Sequence, residues 1–353
     1  MLNQEQLSQR AINLLLELIS TPSFSKEEDK TSALIEDFFK SLSIPTERKG
    51  NNVWAKSMHY DSAKPTLLLN SHHDTVKPNP GYTRDPFKAT IEEGKIFGLG
   101  SNDAGGSLVA LIAAFVYFYE KQSLRYNIVL ASTAEEEISG ANGIELIWPL
   151  LPRIDFAIVG EPTLTDVAIA EKGLLVLDCV AHGKAGHAAR EEGENAIYSA
   201  MEDIAWFRSF QFPKTSSTLG RMKMSVTVIN GGQAHNQVPA ECTFTVDIRV
   251  TDAYTLEEVL EVVRKNVTCS VTPRSMRLRS SGIRANHPLA VVASKLGKRL
   301  YGSPTTSDCT LIPVPSIKVG PGDSARSHSA NEFIHVKEIE AGVETYIRLI
   351  EAL

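Results

Sequence analysis

Hydrophobic positions recur along this chain with two different periods, and the pattern changes twice. The opening run MLNQEQLSQRAINLLLELIS places Leu7, Ala11, Leu14, Leu15, Leu18 and Ile19 at helical spacing with polar residues between them, which predicts an amphipathic first helix. From about residue 60 to 170, short apolar runs alternate with helical patterns. TLLLN (66–70), NIVLAS (127–132) and IDFAIVG (154–160) read as strands. Between the first two lies GGSLVALIAAFVYFYE, apolar nearly all round and therefore a buried helix. A further strand, SIKVG (316–320), comes late, and VKEIEAGVETYIRLIEAL closes the chain as a helix. Strands separated by helices predict parallel pairing through crossovers.

The middle of the chain reads differently. GLLVLDCVAHG, MKMSVTVING, ECTFTVDIRV and CSVTPRSMRL are strand-like, and NAIYSAMEDIAWFRSF and TLEEVLEVVRKNV are helical, with Thr255 and Glu258 set as a capping box. The order strand-helix-strand-strand-helix-strand is that of the ferredoxin-like split unit. The expected fold is therefore α/β: a mixed, mostly parallel sheet with flanking helices over 1–173 and 280–353, carrying an inserted α+β domain over 174–279.

Composition narrows the function classes. A formal charge of −6 with no Lys/Arg stripe argues against nucleic acid as partner. Cys179, Cys242, Cys269 and Cys309 are scattered, with no Cys-x-x-Cys pair, as expected for reduced, buried residues in the cytoplasm. The first helix lacks a cationic start and a cleavage site, and no stretch reads as a membrane span, so no membrane partner is expected.

The chemistry gathers where the apolar runs stop. TLLLN runs into Ser71, His72, His73 and Asp74; NIVLAS into Glu135, Glu136 and Glu137; IDFAIVG into Glu161; SIKVG leads through PGDSARS to His328. GLGSND adds Asp103 before the buried helix. Segments leaving the carboxyl ends of parallel strands emerge on one sheet edge, where open α/β sheets bind ligands. An acidic triplet alone is more often a solvated helix start, and His328 alone an ordinary loop histidine. Four such groups, each after a strand, form a pattern with one chemistry. Imidazoles plus carboxylates without thiolates suit zinc, cobalt or manganese, and the donors outnumber what one ion with an open position requires. Two ions sharing a carboxylate would use them.

At these residues the sequence resembles the co-catalytic zinc amidohydrolases that include acetylornithine deacetylase, succinyl-diaminopimelate desuccinylase, aminoacylase and carboxypeptidase G. The resemblance spans nearly the whole chain, the inserted lid-like domain included. It makes His72 of His72-His73-Asp74 a ligand and Asp74 its orienting partner, and Asp103 of GLGSND the bridge between two ions. The family's paired glutamates fall on Glu136 and Glu137, and Glu161 of GEPT and His328 of GPGDSARSHSANE complete the set. The resemblance implies one ion on His72, Asp103 and Glu161, the other on Asp103, Glu137 and His328, with Glu136 as general base. Ser71 stands where relatives often have Gly, and Leu99 where they often have Arg. In GKAGHAAR, His187 matches the histidine that reaches the partner subunit's active site in dimeric relatives. Asn236 of GGQAHNQVP stands at a substrate-holding position, and Arg249 of DIR suits an α-carboxylate. His73 is expected to turn away from the ligands, and SPTTSDCT resembles a family loop near the site.

What the resemblance implies is an enzyme: a metal-dependent amidohydrolase with two divalent ions, zinc first and cobalt or manganese as substitutes, working as a cytoplasmic homodimer through the inserted domain. The expected substrate is a small N-acyl amino acid, N-acetyl- or N-succinyl-L-ornithine or citrulline, deacylated in arginine biosynthesis. A metallo-dipeptidase or aminopeptidase, or a succinyl-diaminopimelate desuccinylase, is the alternative. An inactive binding protein is disfavoured because no ligand position is missing.

Overall fold

The computed structural model describes residues 3–353. The chain forms two compact units, one made of Met1–Ile169, Gly282–Tyr301 and Ser307–Leu353, the other of Ala170–Ser281 with Gly302–Thr306. The insertion expected at 174–279 lies within the second.

In the first unit the central sheet is mixed and mostly parallel. Its strands run Glu47–Lys49, Asn52–Lys56, Asn127–Thr133, Thr66–His72, Phe156–Val159 and Ser316–Lys318. Thr66–His72 lies parallel to both Asn127–Thr133 and Phe156–Val159, and the latter is parallel to Ser316–Lys318. Asn52–Lys56 pairs antiparallel at one side, and at the other Lys318 stands opposite the antiparallel Ala168. Every residue of Thr66–His72 and Asn127–Thr133 is buried, which is why these strands read as continuous apolar runs instead of alternating ones. The side chains of Asn70, His72 and Thr133 are thereby carried into the interior at the strand ends.

Helices from both ends of the chain wrap one core. Gln4–Ile19 begins with a capping box from Asn3 and Gln6 and packs its apolar stripe on the buried helix Gly106–Phe118, as does Val336–Ala352. Phe39 and Phe115 meet edge to face at 6.0 Å. Tyr346 Oη donates to Val319 O at 2.6 Å and fixes the last helix to the strand that leads toward His328. Among the described residues one helical stretch, Ser101–Phe118, has the length and apolarity of a membrane span. This corrects the sequence reading, which saw none. Because 83% of that stretch is buried inside the fold, its apolarity on all sides belongs to a core helix.

The second unit has its own core and a four-stranded antiparallel sheet in the order Lys223–Gly231, Glu241–Val250, Gly173–His182, Ser270–Pro273. Residues alternate between buried and part-exposed along Gly173–His182, with Leu175, Leu177, Val246 and Ile248 facing the helices Ala196–Ser209 and Leu256–Asn266. Thr255 and Glu258 form the reciprocal capping box. Its strand-helix-strand-strand-helix-strand order follows from chain segments that alternate period-2 and period-3.6 patterns.

Candidate metal centre

Five segments bring their side chains to one edge of the first unit's sheet. His72 ends its strand fully buried. Its Nδ1 lies 3.0 Å from the Asp74 backbone oxygen. A carbonyl only accepts, so Nδ1 carries a hydrogen, and Nε2 is the nitrogen that faces the cluster, offering its lone pair once the ring is neutral. That Nε2 is buried and makes no hydrogen bond of good geometry. It faces Asp103 Oδ1 at 3.4 Å, Glu161 Oε1 at 3.7 Å and Glu136 Oε2 at 3.8 Å. On the far side of Asp103, Oδ2 lies 3.7 Å from His328 Nε2, which also meets Glu137 Oε2 at 3.0 Å.

Each carboxylate has a local cause for its direction. Gly100 turns the chain at φ 76°, and the tight segment Ser101–Gly105 leaves Asp103 extended at φ −119°, ψ 102°, its carboxylate between the two imidazoles. Asn102 fixes this turn, its side chain accepting from Asp323 N and donating to Asp323 O, both at 3.0 Å. After Thr133 the backbone enters the left-handed region at Glu135, φ 55°, a conformation that bulky residues hold only with support. Glu28 Oε1 accepts the Glu135 amide, and the Glu135 carboxylate takes Asn142 Nδ2 at 2.9 Å. The three adjacent glutamates are thus divided: Glu135 points to structure, Glu136 and Glu137 to the cluster. Asp74 accepts from the amides of Glu136 and Glu137 at 3.0 and 3.2 Å, and from Ser25 Oγ at 2.7 Å. Glu161 N reaches Val319 O at 3.4 Å, and Ser71 Oγ donates to Gly160 O at 2.8 Å, so Ser71 ties together the ends of the two strands that lead to His72 and Glu161.

The electrostatics call for cations. Two like charges about 4 Å apart repel by about 4 kcal/mol at an effective dielectric of about 20, against a whole-domain stability of about 5–15 kcal/mol. Burial pushes Glu136 well above the usual carboxylate range, and burial with the Asp103 charge brings Glu161 to about 8. Burial opposes a charge on His72, yet Asp103 and Asp74 outweigh it and hold its pKa well above the ordinary value. The Glu137 contact raises His328 to about 9. His72, Asp103 and Glu137 have donor atoms mutually within 4.8 Å, as do His72, Glu136 and Glu161. A buried imidazole nitrogen without a partner, among carboxylates that repel one another, fits divalent metal ions.

Several neighbours were not picked out as site residues in the sequence. Glu332, the last residue of GPGDSARSHSANE, is buried and accepts from the amides of Asn102 and Asp103. Asp308, within SPTTSDCT, is buried and accepts from Asn70 Nδ2 at 2.7 Å and Thr133 Oγ1 at 2.9 Å. Ser25 anchors Asp74. Polar residues in loops carry no periodicity, so no pattern marked them. His73 turns away from the cluster, bonding Thr31 Oγ1 and Asn51 O, and burial lowers its pKa to about 4.

The remaining expected site residues belong to the second unit. Gly186–His187 pairs with Gln237–Val238, and Ala188 N donates to Asn236 O at 3.0 Å, so His187 and Asn236 share one exposed loop pair. His187 Nδ1 accepts from Ala189 N at 3.1 Å, which leaves the ring hydrogen on Nε2. Arg249 stands on the four-stranded sheet, in Glu241–Val250, and holds Asp247 through Nε and Nη2 at 2.8 and 3.0 Å, with Nη1 on Thr306 Oγ1 at 3.3 Å.

Comparison with known proteins places this geometry. The chain is 29% identical over 377 residues to an acetylornithine deacetylase of Proteus mirabilis, covering 96% of each. It is 30% identical over 362 residues to a [LysW]-lysine/[LysW]-ornithine hydrolase of Sulfurisphaera tokodaii, covering 99% of this chain and 98% of that protein. Among solved structures it is similar to a metallo-carboxypeptidase of Sulfolobus solfataricus, with TM-score 0.77 at 17% identity over 97% of this chain and 98% of the other. A dinuclear metal-binding peptidase of Bacillus subtilis matches with TM-score 0.71 at 14% identity, over 98% of each chain. Residues 68–352 match the model of peptidase family M20/M25/M40; the chain belongs to that family and is a metal-dependent amidohydrolase.

Proposed function

We propose that the chain hydrolyses the amide bond of an N-acyl amino acid, N-acetyl- or N-succinyl-L-ornithine or the citrulline counterparts, releasing a carboxylic acid and a free amine. The observation that carries this reading is the partnerless Nε2 of buried His72 among carboxylates that exceed by one what two ions need. His72, Asp103 and Glu161 would hold one ion, and Asp103, Glu137 and His328 the other, which leaves Glu136. Two bound divalent ions, zinc or in its place cobalt or manganese, would polarise the scissile carbonyl and lower the pKa of water.

The chain's own groups do the rest. Glu136 takes a proton from the water that attacks the carbonyl carbon and delivers it to the leaving nitrogen. Its place beside His72 Nε2 in the cluster, outside the six donors assigned to the two ions, leaves it free to accept and return that proton. Asp74 fixes the His72 ring and the amides of Glu136 and Glu137 together. By the resemblance, His187 would reach the partner subunit's site and offer its Nε2–H to the developing oxyanion. Asn236, beside it, holds the substrate. Arg249 keeps one N–H on each Nη once Asp247 and Thr306 are served, a pair suited to an α-carboxylate.

Similarity to both an acetylornithine deacetylase and a [LysW]-lysine/[LysW]-ornithine hydrolase supports an ornithine- or lysine-like amine half, and the substrate panel below identifies the acyl half. The test is amine release by the zinc- or cobalt-loaded protein from N-acetyl- and N-succinyl-L-ornithine, their citrulline counterparts and a dipeptide set. Chelator-sensitive turnover of an acyl amino acid supports the proposal; turnover of dipeptides alone overturns it. We propose also that the protein is a homodimer. Lys223–Gly231 is an outer strand of its sheet, largely exposed, and Tyr198, Met201, Val228 and Ile229 present half or more of their surface to solvent or close to it, a combination that invites pairing with a second copy.

A further inference from the structure

We propose that Glu332 is a positioning residue that locks the two-ion geometry by clamping the turn bearing Asp103 to the loop bearing His328. The inference rests on the metal-pair reading above and adds a residue that ligates nothing.

Glu332 Oε1 accepts two consecutive backbone amides, Asn102 N at 2.8 Å and Asp103 N at 2.9 Å. Its own backbone oxygen accepts Gly98 N at 3.0 Å. The residue is 2% exposed, so no solvent would replace it at those amides. The same stretch of chain grips the turn at a second point, where Asp323 exchanges backbone hydrogen bonds with the Asn102 side chain. His328 lies between these two grips. Arg326 holds the stretch from behind, bidentate to Glu338 at 2.9 and 2.6 Å.

The consequence concerns Asp103. A bridging carboxylate must present one oxygen to each ion, and the peptide plane before Asp103 sets which way its Cα–Cβ bond points. With Glu332 holding that plane, Oδ1 faces His72 and Oδ2 faces His328. Without it, two buried amides lose their acceptor, and the turn is free to rotate toward other partners. The carboxylate then serves one ion at the expense of the other. A single side-chain oxygen takes both amides at once.

The test titrates the metal-free protein with Zn²⁺ by calorimetry and reads ion content per subunit after desalting, for wild type, Glu332→Gln and Glu332→Ala. Thermal unfolding of each metal-free protein is read in parallel. The alanine variant is expected to lose roughly 10- to 100-fold in affinity for the weaker-bound ion, with its metal-free unfolding transition still cooperative. The glutamine variant, whose side-chain oxygen can still accept both amides, is expected to recover most of that affinity. Two ions bound to Glu332→Ala with wild-type affinity overturn the role of Glu332. An affinity loss that Glu332→Gln shares in full overturns it as well, since the oxygen alone should position the turn. A wild-type chain that takes up fewer than two ions overturns the metal-pair reading itself, and this inference with it.

Discussion

Asp74 Oδ1 accepts the amide hydrogen of Glu136 at 3.0 Å, while the same carboxylate lies 3.4 Å from His72 Nδ1. One buried acid thus couples the ring of a proposed ligand to the backbone of the proposed base, across the ends of two neighbouring strands. Burial works against its charge, but the His72 contact prevails and holds Asp74 below the usual carboxylate range. Replacing Asp74 by Ala strips His72 of its electrostatic partner and leaves the Glu136 and Glu137 amides without an acceptor. We expect metal affinity to fall roughly 10- to 100-fold and kcat to fall as well with metal in excess. Calorimetric metal titration with steady-state kinetics checks both. Unchanged kcat at saturating metal would show that the coupling to Glu136 has no catalytic consequence.

Glu136→Gln keeps the shape of the side chain and removes its basicity. Proton transfer by a positioned side chain is worth roughly 10²- to 10⁴-fold, so kcat should drop within that range while two ions stay bound. Metal analysis of the same sample separates loss of the base from loss of an ion. A variant that turns over at near wild-type rate would move the base elsewhere.

How much of this was written in the sequence depends on what each residue does. The strands were legible because burial on both faces turns them into continuous apolar runs, and the proposed ligands because they follow such runs or, for Asp103, precede the buried helix. The core helix Gly106–Phe118 was legible for the same reason. Its length with the preceding turn was not, because Ser101–Gly105 carries no apolar signal of its own. Asp74 stood beside His72 in sequence, but its grip on the Glu136 and Glu137 amides spans 62 and 63 residues. Glu332 and Asp308 act at separations of 230 and 238 residues, on Asn102 N and Asn70 Nδ2. Their partners are backbone amides and buried polar side chains, which leave no periodic trace, so only the folded chain identifies them.

His328 is the proposed ligand most open to solvent, 56% exposed, and its contacts are Glu137 at 3.0 Å and Asp103 at 3.7 Å. Removing it should cost one ion and spare the other, which has His72, Asp103 and Glu161. His328→Ala is therefore expected to bind about one ion per subunit where the wild type binds two, with turnover lost and the metal-free fold still unfolding cooperatively. Metal content after desalting is the measurement. Retention of both ions would take His328 out of the ligand set.

Protonation supplies the last prediction, because protons compensate the site's charge when metal is removed. Glu161 and Glu332 are raised from about 4.5 to about 8, and His328 from about 6.5 to about 9. A group whose folded pKa exceeds its unfolded one gives its full stabilisation below the unfolded value and loses it as pH climbs through the folded value. All three therefore act in the same direction, and the metal-free protein should become less stable between about pH 5 and pH 9. Asp74 and Asp103, whose pKa values are lowered, contribute the opposite slope only below about pH 4, outside this window. Divalent ions bound to the deprotonated donors would replace the protons, so the loaded protein should show a flatter profile, with the stabilisation by metal growing as pH rises. Thermal unfolding across that range, in chelator and in added Zn²⁺, reads the difference directly. A metal-free Tm that stays level or rises from pH 5 to 9 would mean that the carboxylates of this cluster are separated from one another more effectively than their burial and distances imply.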